Sequence, residues 1–270
     1  MRELGGERVL ITGAARGIGE RLAWRFAREG AVPLVVDVRA VAAEEVAGAL
    51  RSAGHEAHAF ACDVSDPDAV AALRDEVHAQ GGPVQILVNN AGVVIGGAYE
   101  AIPRSGDERM LAVNVAGCHW VAKTFLPDLV RSGRAHLVWM ASAAGLVGVP
   151  DQVVYAASKW FVVGMAESLR AELIAGGHRH VGTTIVCPSF VSTGMFEGVA
   201  PPRLTRWLHP DEIAAKVVRA VQHDRLWVRE PWLVKATPPL RALLPRPLFD
   251  RLTSLLGVTT AMRSWRGHGA

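Results

Sequence analysis

The sequence predicts an α/β fold, a parallel sheet covered by helices on both faces. Two observations predict it. Six short apolar runs, at 9–12, 34–38, 57–64, 86–90, 136–142 and 181–188, are nearly continuous, as strands buried on both faces are. Between and after them lie longer segments of helical periodicity, at 17–29, 41–53, 67–80, 105–131, 153–175 and 210–221. Strand–helix alternation of this kind builds parallel sheets. A seventh run at 226–235 continues the rhythm. Pro67 and Pro210 suit a first helical turn, where a missing N–H costs nothing.

The first strand ends in Thr12-Gly13-Ala14-Ala15-Arg16-Gly17-Ile18-Gly19, and a helix follows. Gly13 can take a tight turn with positive φ. Gly17 and Gly19 let the backbone and helix approach a pyrophosphate closely, and the helix N-terminus offers it free N–H groups. A glycine trio alone is weak; its place between strand and helix gives it weight. The second strand ends near Asp37, 18 residues after Gly19. An acid at an offset of roughly 20 residues binds the adenosine ribose hydroxyls of a dinucleotide. A carboxylate there repels a 2′-phosphate, which favours NAD. Arg16 and Arg39 stand nearby and could accept that phosphate, so NADP stays open.

Tyr155 and Lys159 lie four residues apart in a helical pattern, so they share a face. A free phenol has a pKa near 10. A fixed cation beside it lowers that value, as a proton-transferring tyrosine requires. Ser142 ends the fifth strand, 13 residues before Tyr155. Asn114 falls inside the helix after the fourth strand, where a buried amide needs partners, one option being a water leading toward Lys159.

Together these motifs resemble the short-chain dehydrogenase/reductase family over residues 5–235. The matching residues are Thr12-Gly13-x-x-x-Gly17-x-Gly19, Asp63-Val64, Asn89-Asn90-Ala91-Gly92, Asn114, Ser142, Tyr155-x-x-x-Lys159 and Pro188-x-x-x-x-Thr193. The resemblance implies a Rossmann-type doubly wound sheet of seven parallel strands in the order 3-2-1-4-5-6-7. It implies that Tyr155 is the general acid/base and that Lys159 holds the nicotinamide ribose while lowering the Tyr155 pKa. It further implies that Ser142 positions the substrate oxygen and that Asn114 anchors a water relay. Asp63 and Val64 are expected at the adenine, Asn90, Ala91 and Gly92 along the adenosine side, and Thr193 with the backbone after Pro188 at the carboxamide. Gly13, Arg16, Gly17, Ile18 and Gly19 are expected at the phosphates. The family often has Pro-Gly where this chain has Pro188-Ser189. Two rival functions share the glycine turn: a dehydratase or epimerase that keeps its NAD, and a sensor of the dinucleotide ratio. The Tyr155/Lys159 pair favours the dehydrogenase.

The segment holding Phe190, Met195 and Phe196 resembles the subgroup that acts on retinoids, steroids and other lipophilic alcohols. Val94, Val147, Val149 and Trp160 are candidates for the same pocket. Residues 189–209 are expected to form a substrate lid. The apolar tail at 236–270 carries Arg241, Arg246 and Arg251; it can lie on a membrane surface, cap the substrate cavity or cover a subunit interface.

With 270 residues and no linker, the chain is expected to form one domain. A net charge of +3 and the absence of a recognisable module argue against nucleic acid as a partner. Cys62, Cys118 and Cys187 are far apart and show no metal spacing, so buried thiols are expected, and no metal site. No targeting or membrane-spanning stretch is visible, which suggests a cytoplasmic protein. The resemblance adds a homodimer or homotetramer, packed through the helices at 105–131 and 153–175.

Overall fold

The structure, a computed structural model, describes residues 2–267. Met1 and the last three residues of the expected 236–270 tail lie outside the described residues. Seven strands form one parallel sheet in the order β3-β2-β1-β4-β5-β6-β7. They are β1 (Arg8–Thr12), β2 (Val32–Asp37), β3 (His58–Ala61), β4 (Ile86–Asn89), β5 (Ala135–Met140), β6 (Val181–Pro188) and β7 (Trp227–Glu230). The order is the one the resemblance implied. The chain runs outward from β1 to β3, then returns to place β4 on the other side of β1. That reversal opens a crevice at the carboxyl ends of the strands, where ligands bind in open α/β sheets.

The apolar runs are continuous because alternate side chains feed two cores. Val9, Ile11, Val35 and Val88 point to one face and meet Leu22, Phe26, Leu50 and Val217. These come from α1 (Gly17–Arg28), α2 (Ala40–Ser52) and α7 (Pro210–Gln222). Leu10, Leu34, Leu87 and Leu137 point to the other face and meet Leu73, Phe125 and Val162. These come from α3 (Pro67–Ala79), α5 (Cys118–Arg131) and α6 (Val153–Ala175). Fully burying such side chains is worth roughly 1.5–3 kcal/mol each, which fixes both layers on the sheet. Pro67 and Pro210 open their helices as expected, capped by the side chains of Asp66 and His209.

The structure departs from the sequence reading in three places. The helix expected at 105–131 is α4 (Arg104–Leu111) and α5, joined by a π-helical turn over Ala112–Gly117. Gly117 lies against the loop after β3, where a Cβ would stand 2.8 Å from a Val64 methyl and 2.9 Å from the Val64 carbonyl oxygen. The strand expected at 226–235 stops at Glu230, because Pro231 has no N–H to extend the ladder and instead precedes α8 (Trp232–Leu243). The tail is largely helical, through α8 and α9 (Arg246–Leu255), and its Ala261 and Met262 then join a buried cluster with Tyr155 and Phe196. No helix among the described residues is long and apolar enough to cross a membrane.

Candidate active site

A cleft of about 610 Å³ runs along the carboxyl ends of the strands. Gly13, Arg16, Gly17, Ile18 and Gly19 line it, as do Asp37, Asp63, Val64, Asn90, Ala91 and Gly92. Ser142, Tyr155, Lys159, Pro188 and Thr193 complete the same wall. Sequence positions nearly 180 residues apart thus meet in one groove. Asn114 alone among the expected residues stands behind the wall, almost fully buried. The cleft also includes Val38, Cys62, Val93, Arg109, Val113 and Met140, which no motif marked.

The glycine turn is built for close approach. Gly13 and Gly17 both have positive φ, +63° and +59°. A Cβ on Gly13 would stand 2.9 Å from Ala91 Cα, and one on Gly17 would stand 3.1 Å from the Thr193 methyl across the cleft. A Cβ on Gly19 would collide with the Gly13 carbonyl. Asn90 holds the turn from the β4 side, donating its amide to the carbonyls of Thr12 (2.8 Å) and Gly13 (3.1 Å). Its role in the protein is thus to brace the turn. The first helical turn of α1, without a side-chain cap, leaves its N–H groups free, and the glycines beside it leave room for a dinucleotide diphosphate.

Asp37 ends β2 beside that turn. Its Oδ2 accepts the Ala15 N–H at 3.1 Å, and its Oδ1 accepts the backbone N–H of Arg39 at 3.1 Å. The Arg39 guanidinium also reaches Oδ1, at 3.3 Å. The carboxylate therefore locks the glycine turn to β2. Ser189, which replaces the family's usual glycine, donates its N–H to the Glu230 carbonyl at 2.8 Å and is not among the non-glycine residues with positive φ. The substitution needs no strained backbone.

Tyr155 and Lys159 lie one turn apart on α6, and Ser142 follows β5 beneath them. All three are buried. Burial pushes the Tyr155 phenol up to about 12, and the Ser142 hydroxyl beside it pulls the other way. Burial also brings the Lys159 ammonium down to about 8. The Lys159 Nζ donates to the Met140 carbonyl at 3.0 Å and lies 5.7 Å from the centre of the Tyr155 ring. In the protein by itself burial outweighs the Ser142 hydroxyl, and the phenol is raised.

Asn114 sits in the π-helical turn. Its Oδ1 accepts the Val93 N–H at 2.8 Å, while its Nδ2 donates to the Val93 carbonyl (2.9 Å) and to Ser158 Oγ (3.1 Å). Ser158 Oγ in turn donates to the Tyr155 carbonyl at 2.7 Å. The Asn114 side chain clamps the loop after β4 to α6, and its Oδ1 and the Lys159 Nζ both lie 3.3 Å from where a Cβ on Gly92 would stand.

Beyond Tyr155 the cleft turns apolar. Tyr155, Phe196, Met110 and Val199 share a buried cluster with Ala261 and Met262 from the tail, and Phe190, Met195, Val94 and Val149 pack against it. The Phe196 ring meets Tyr155 edge-on at 6.1 Å and Phe190 at 5.2 Å. Trp160 lies elsewhere. It is exposed on the outer side of α6, with the Arg241 guanidinium 4.3 Å from its ring, so it is no part of this pocket.

A sheet in this order, with a glycine turn at its switch point and a buried Ser/Tyr/Lys group across the cleft, defines a dinucleotide-dependent oxidoreductase. Residues 7–203 match the short chain dehydrogenase family model. The mouse (Mus musculus) epidermal retinol dehydrogenase 2 is 38% identical over 270 residues, 99% of this chain and 87% of that protein. The human (Homo sapiens) estradiol 17-beta-dehydrogenase 11 is 34% identical over 240 residues, 89% of this chain and 80% of that protein. Among solved structures, a short chain dehydrogenase/reductase from Burkholderia phymatum in complex with NAD is similar. It has a TM-score of 0.82 and 30% identity, and the match covers 90% of this chain and 95% of that one. The chain belongs to the short-chain dehydrogenase/reductase family.

Proposed function

We propose that this enzyme moves a hydride between the nicotinamide of NAD and the carbinol carbon of a lipophilic alcohol or its ketone. One observation carries the reading: the cleft passes from Asp37 along the glycine turn to Tyr155 and there meets an apolar wall of Phe190, Met195 and Phe196. The relatives named for retinol and estradiol support the same substrate class.

When bound, the nicotinamide supplies hydride acceptance and donation. The protein supplies position and proton transfer. Tyr155 Oη takes the hydroxyl proton in oxidation and returns it in reduction. Ser142 Oγ would hold the same oxygen, and Lys159, whose ammonium lies near the phenol, would hold the coenzyme ribose. Arg16, Gly17, Ile18 and Gly19 would hold the diphosphate, Asp37 the adenosine ribose, Asp63 and Val64 the adenine, and Thr193 the carboxamide. NAD is preferred to NADP because the Asp37 carboxylate, already fixed by Ala15, disfavours a second anion there. The test is a panel of retinoid, steroid and short-chain alcohols with each coenzyme, followed by the absorbance of the reduced coenzyme. Turnover only of small hydrophilic alcohols would overturn the substrate class.

The exposed Val153 and Phe161 on α6 and Leu111 at the end of α4 support a homodimer through these helices, measurable by light scattering. On α9 and its approach, exposed Leu243, Leu248 and Leu255 alternate with Arg241, Arg246 and Arg251. That pattern suits a cytoplasmic enzyme resting on an anionic bilayer surface. Co-sedimentation with anionic, but not neutral, vesicles is the expected result.

A further inference from the structure

We propose that residues 256–266 form the specificity wall of the substrate pocket and are latched to the 189–199 loop as a single lid, with Met262 and Trp265 setting the width of alcohol admitted. The proposal rests on the dehydrogenase reading and adds residues beyond 203, where the family match ends.

Met262 is far from Tyr155 in sequence yet shares its buried cluster, together with Phe196. Gln152, buried three residues before Tyr155, donates to Met262 Sδ at 3.1 Å and anchors the segment to the start of α6. Gly96 makes room from the opposite side. A Cβ there would stand 2.9 Å from the Met262 methyl and 3.1 Å from the Trp265 ring. The segment therefore closes the space into which Tyr155 and Phe196 face.

It is also tied to the loop along three seams. Trp265 Nε1 donates to the Met195 carbonyl at 3.2 Å. The Arg266 N–H donates to the Glu197 carbonyl at 2.9 Å. Gly198, with φ +82°, lies so close that a Cβ would collide with the Ser264 carbonyl. Farther along, the Arg203 N–H donates to the Leu256 carbonyl at 2.7 Å. Phe196 is carried between the first two seams. Phe196 lines the cleft beside Tyr155, so residues 262–266, bonded on either side of it, hold its position there. The seams frame a buried apolar contact in which Phe196 and Val199 of the loop meet Ala261 and Met262 of the segment.

The test uses full-length Met262→Ala, Trp265→Ala and Trp265→Phe. The readouts are kcat/KM for a polycyclic secondary alcohol relative to a short-chain one, and hydrogen exchange of the 189–199 amides. A hydrophobic wall shortened by several atoms is expected to shift that ratio about tenfold or more toward the polycyclic substrate. Trp265→Phe keeps a ring but loses the donor to Met195, so exchange in the loop is expected to rise about fivefold. A ratio within about twofold of the parent in both alanine variants would overturn the wall. Unchanged exchange in Trp265→Phe would overturn the latch. Should Trp265→Ala fail to fold, Met262→Ala decides the first question. If the parent oxidises no alcohol at all, the dehydrogenase reading falls instead, and the exchange measurement still judges the latch.

Discussion

Lys159 follows Tyr155 by one helical turn, yet its ammonium donates to the Met140 carbonyl, 3.0 Å away, and not to the phenol. The phenol is left protonated at neutral pH, poised as an acid toward a carbonyl, with Lys159 the first of the two to titrate. Carbonyl reduction is therefore favoured at neutral pH. Alcohol oxidation, which needs the phenol's proton gone, is expected to climb with pH through the alkaline range toward the phenol's raised value of about 12. Equal pH profiles in the two directions would contradict this assignment. Tyr155→Phe should lower turnover by about 10²–10⁴-fold in both directions while coenzyme titration is retained.

Lys159 also costs stability. Its pKa falls from 10.5 in the unfolded chain to about 8 in the fold, so below pH 8 the folded state carries a buried charge that the unfolded chain holds in water. That cost is full below pH 8 and fades as pH rises through 10.5. Lys159→Met should abolish turnover yet raise stability at pH 7 by up to roughly 3 kcal/mol, less what the Met140 carbonyl loses. The gap in melting temperature from the parent should shrink at alkaline pH. A gap that stays constant with pH would show that the ammonium is not desolvated.

His136 gives a dependence of the same sign in the acid range. It is buried in β5, its Nε2 2.8 Å from Thr184 Oγ1, whose hydroxyl donates to the Arg225 carbonyl at 2.8 Å. The hydroxyl must therefore accept from an Nε2–H. Burial, then the Arg2 charge, bring the imidazole down to about 3 from 6.5. The unfolded chain takes up a proton near pH 6.5 that the fold refuses until about 3, so stability declines across that window. His136→Gln should flatten the decline, read as unfolding free energy between pH 7 and 4. The same slope in parent and variant would assign the acid sensitivity to other groups.

Asp37 braces Ala15 and, in the proposed reading, faces the adenosine ribose. Asp37→Ala should therefore raise KM for NAD by about tenfold, the equivalent of one lost charge-assisted hydrogen bond. With the carboxylate gone, Arg16 and Arg39 are free to meet a 2′-phosphate, and the NADP/NAD ratio of kcat/KM should rise. Arg39→Ala should move that ratio the other way. A coenzyme preference indifferent to both changes would remove Asp37 from the coenzyme site.

Much of this was legible along the chain. The apolar runs, the glycines at 13, 17 and 19, the prolines opening α3 and α7 and the spacing of Tyr155 and Lys159 are local signals, readable because a strand, a turn and a helical face each impose their own period. The family pattern then implied the order of the strands. The Met140 acceptor left no trace, because it is a backbone carbonyl and any residue supplies one. The clamp of Asn114 on Val93 was hidden for the same reason. The strand expected to run to 235 ended at Pro231, where the missing N–H outweighed the apolar character of Trp232, Leu233 and Val234.

The sequence by itself determined the layered α/β fold, the glycine turn and the shared helical face of Tyr155 and Lys159, since each depends on neighbours within a few positions. Only the tertiary structure decided which way Lys159 points, the direction in which burial moves Tyr155, and that Met262 and Trp265 return to the buried cluster around Tyr155. Those outcomes depend on desolvation and on contacts between segments a hundred residues apart. Such contacts are set by the packing of the whole chain and by no periodicity within it.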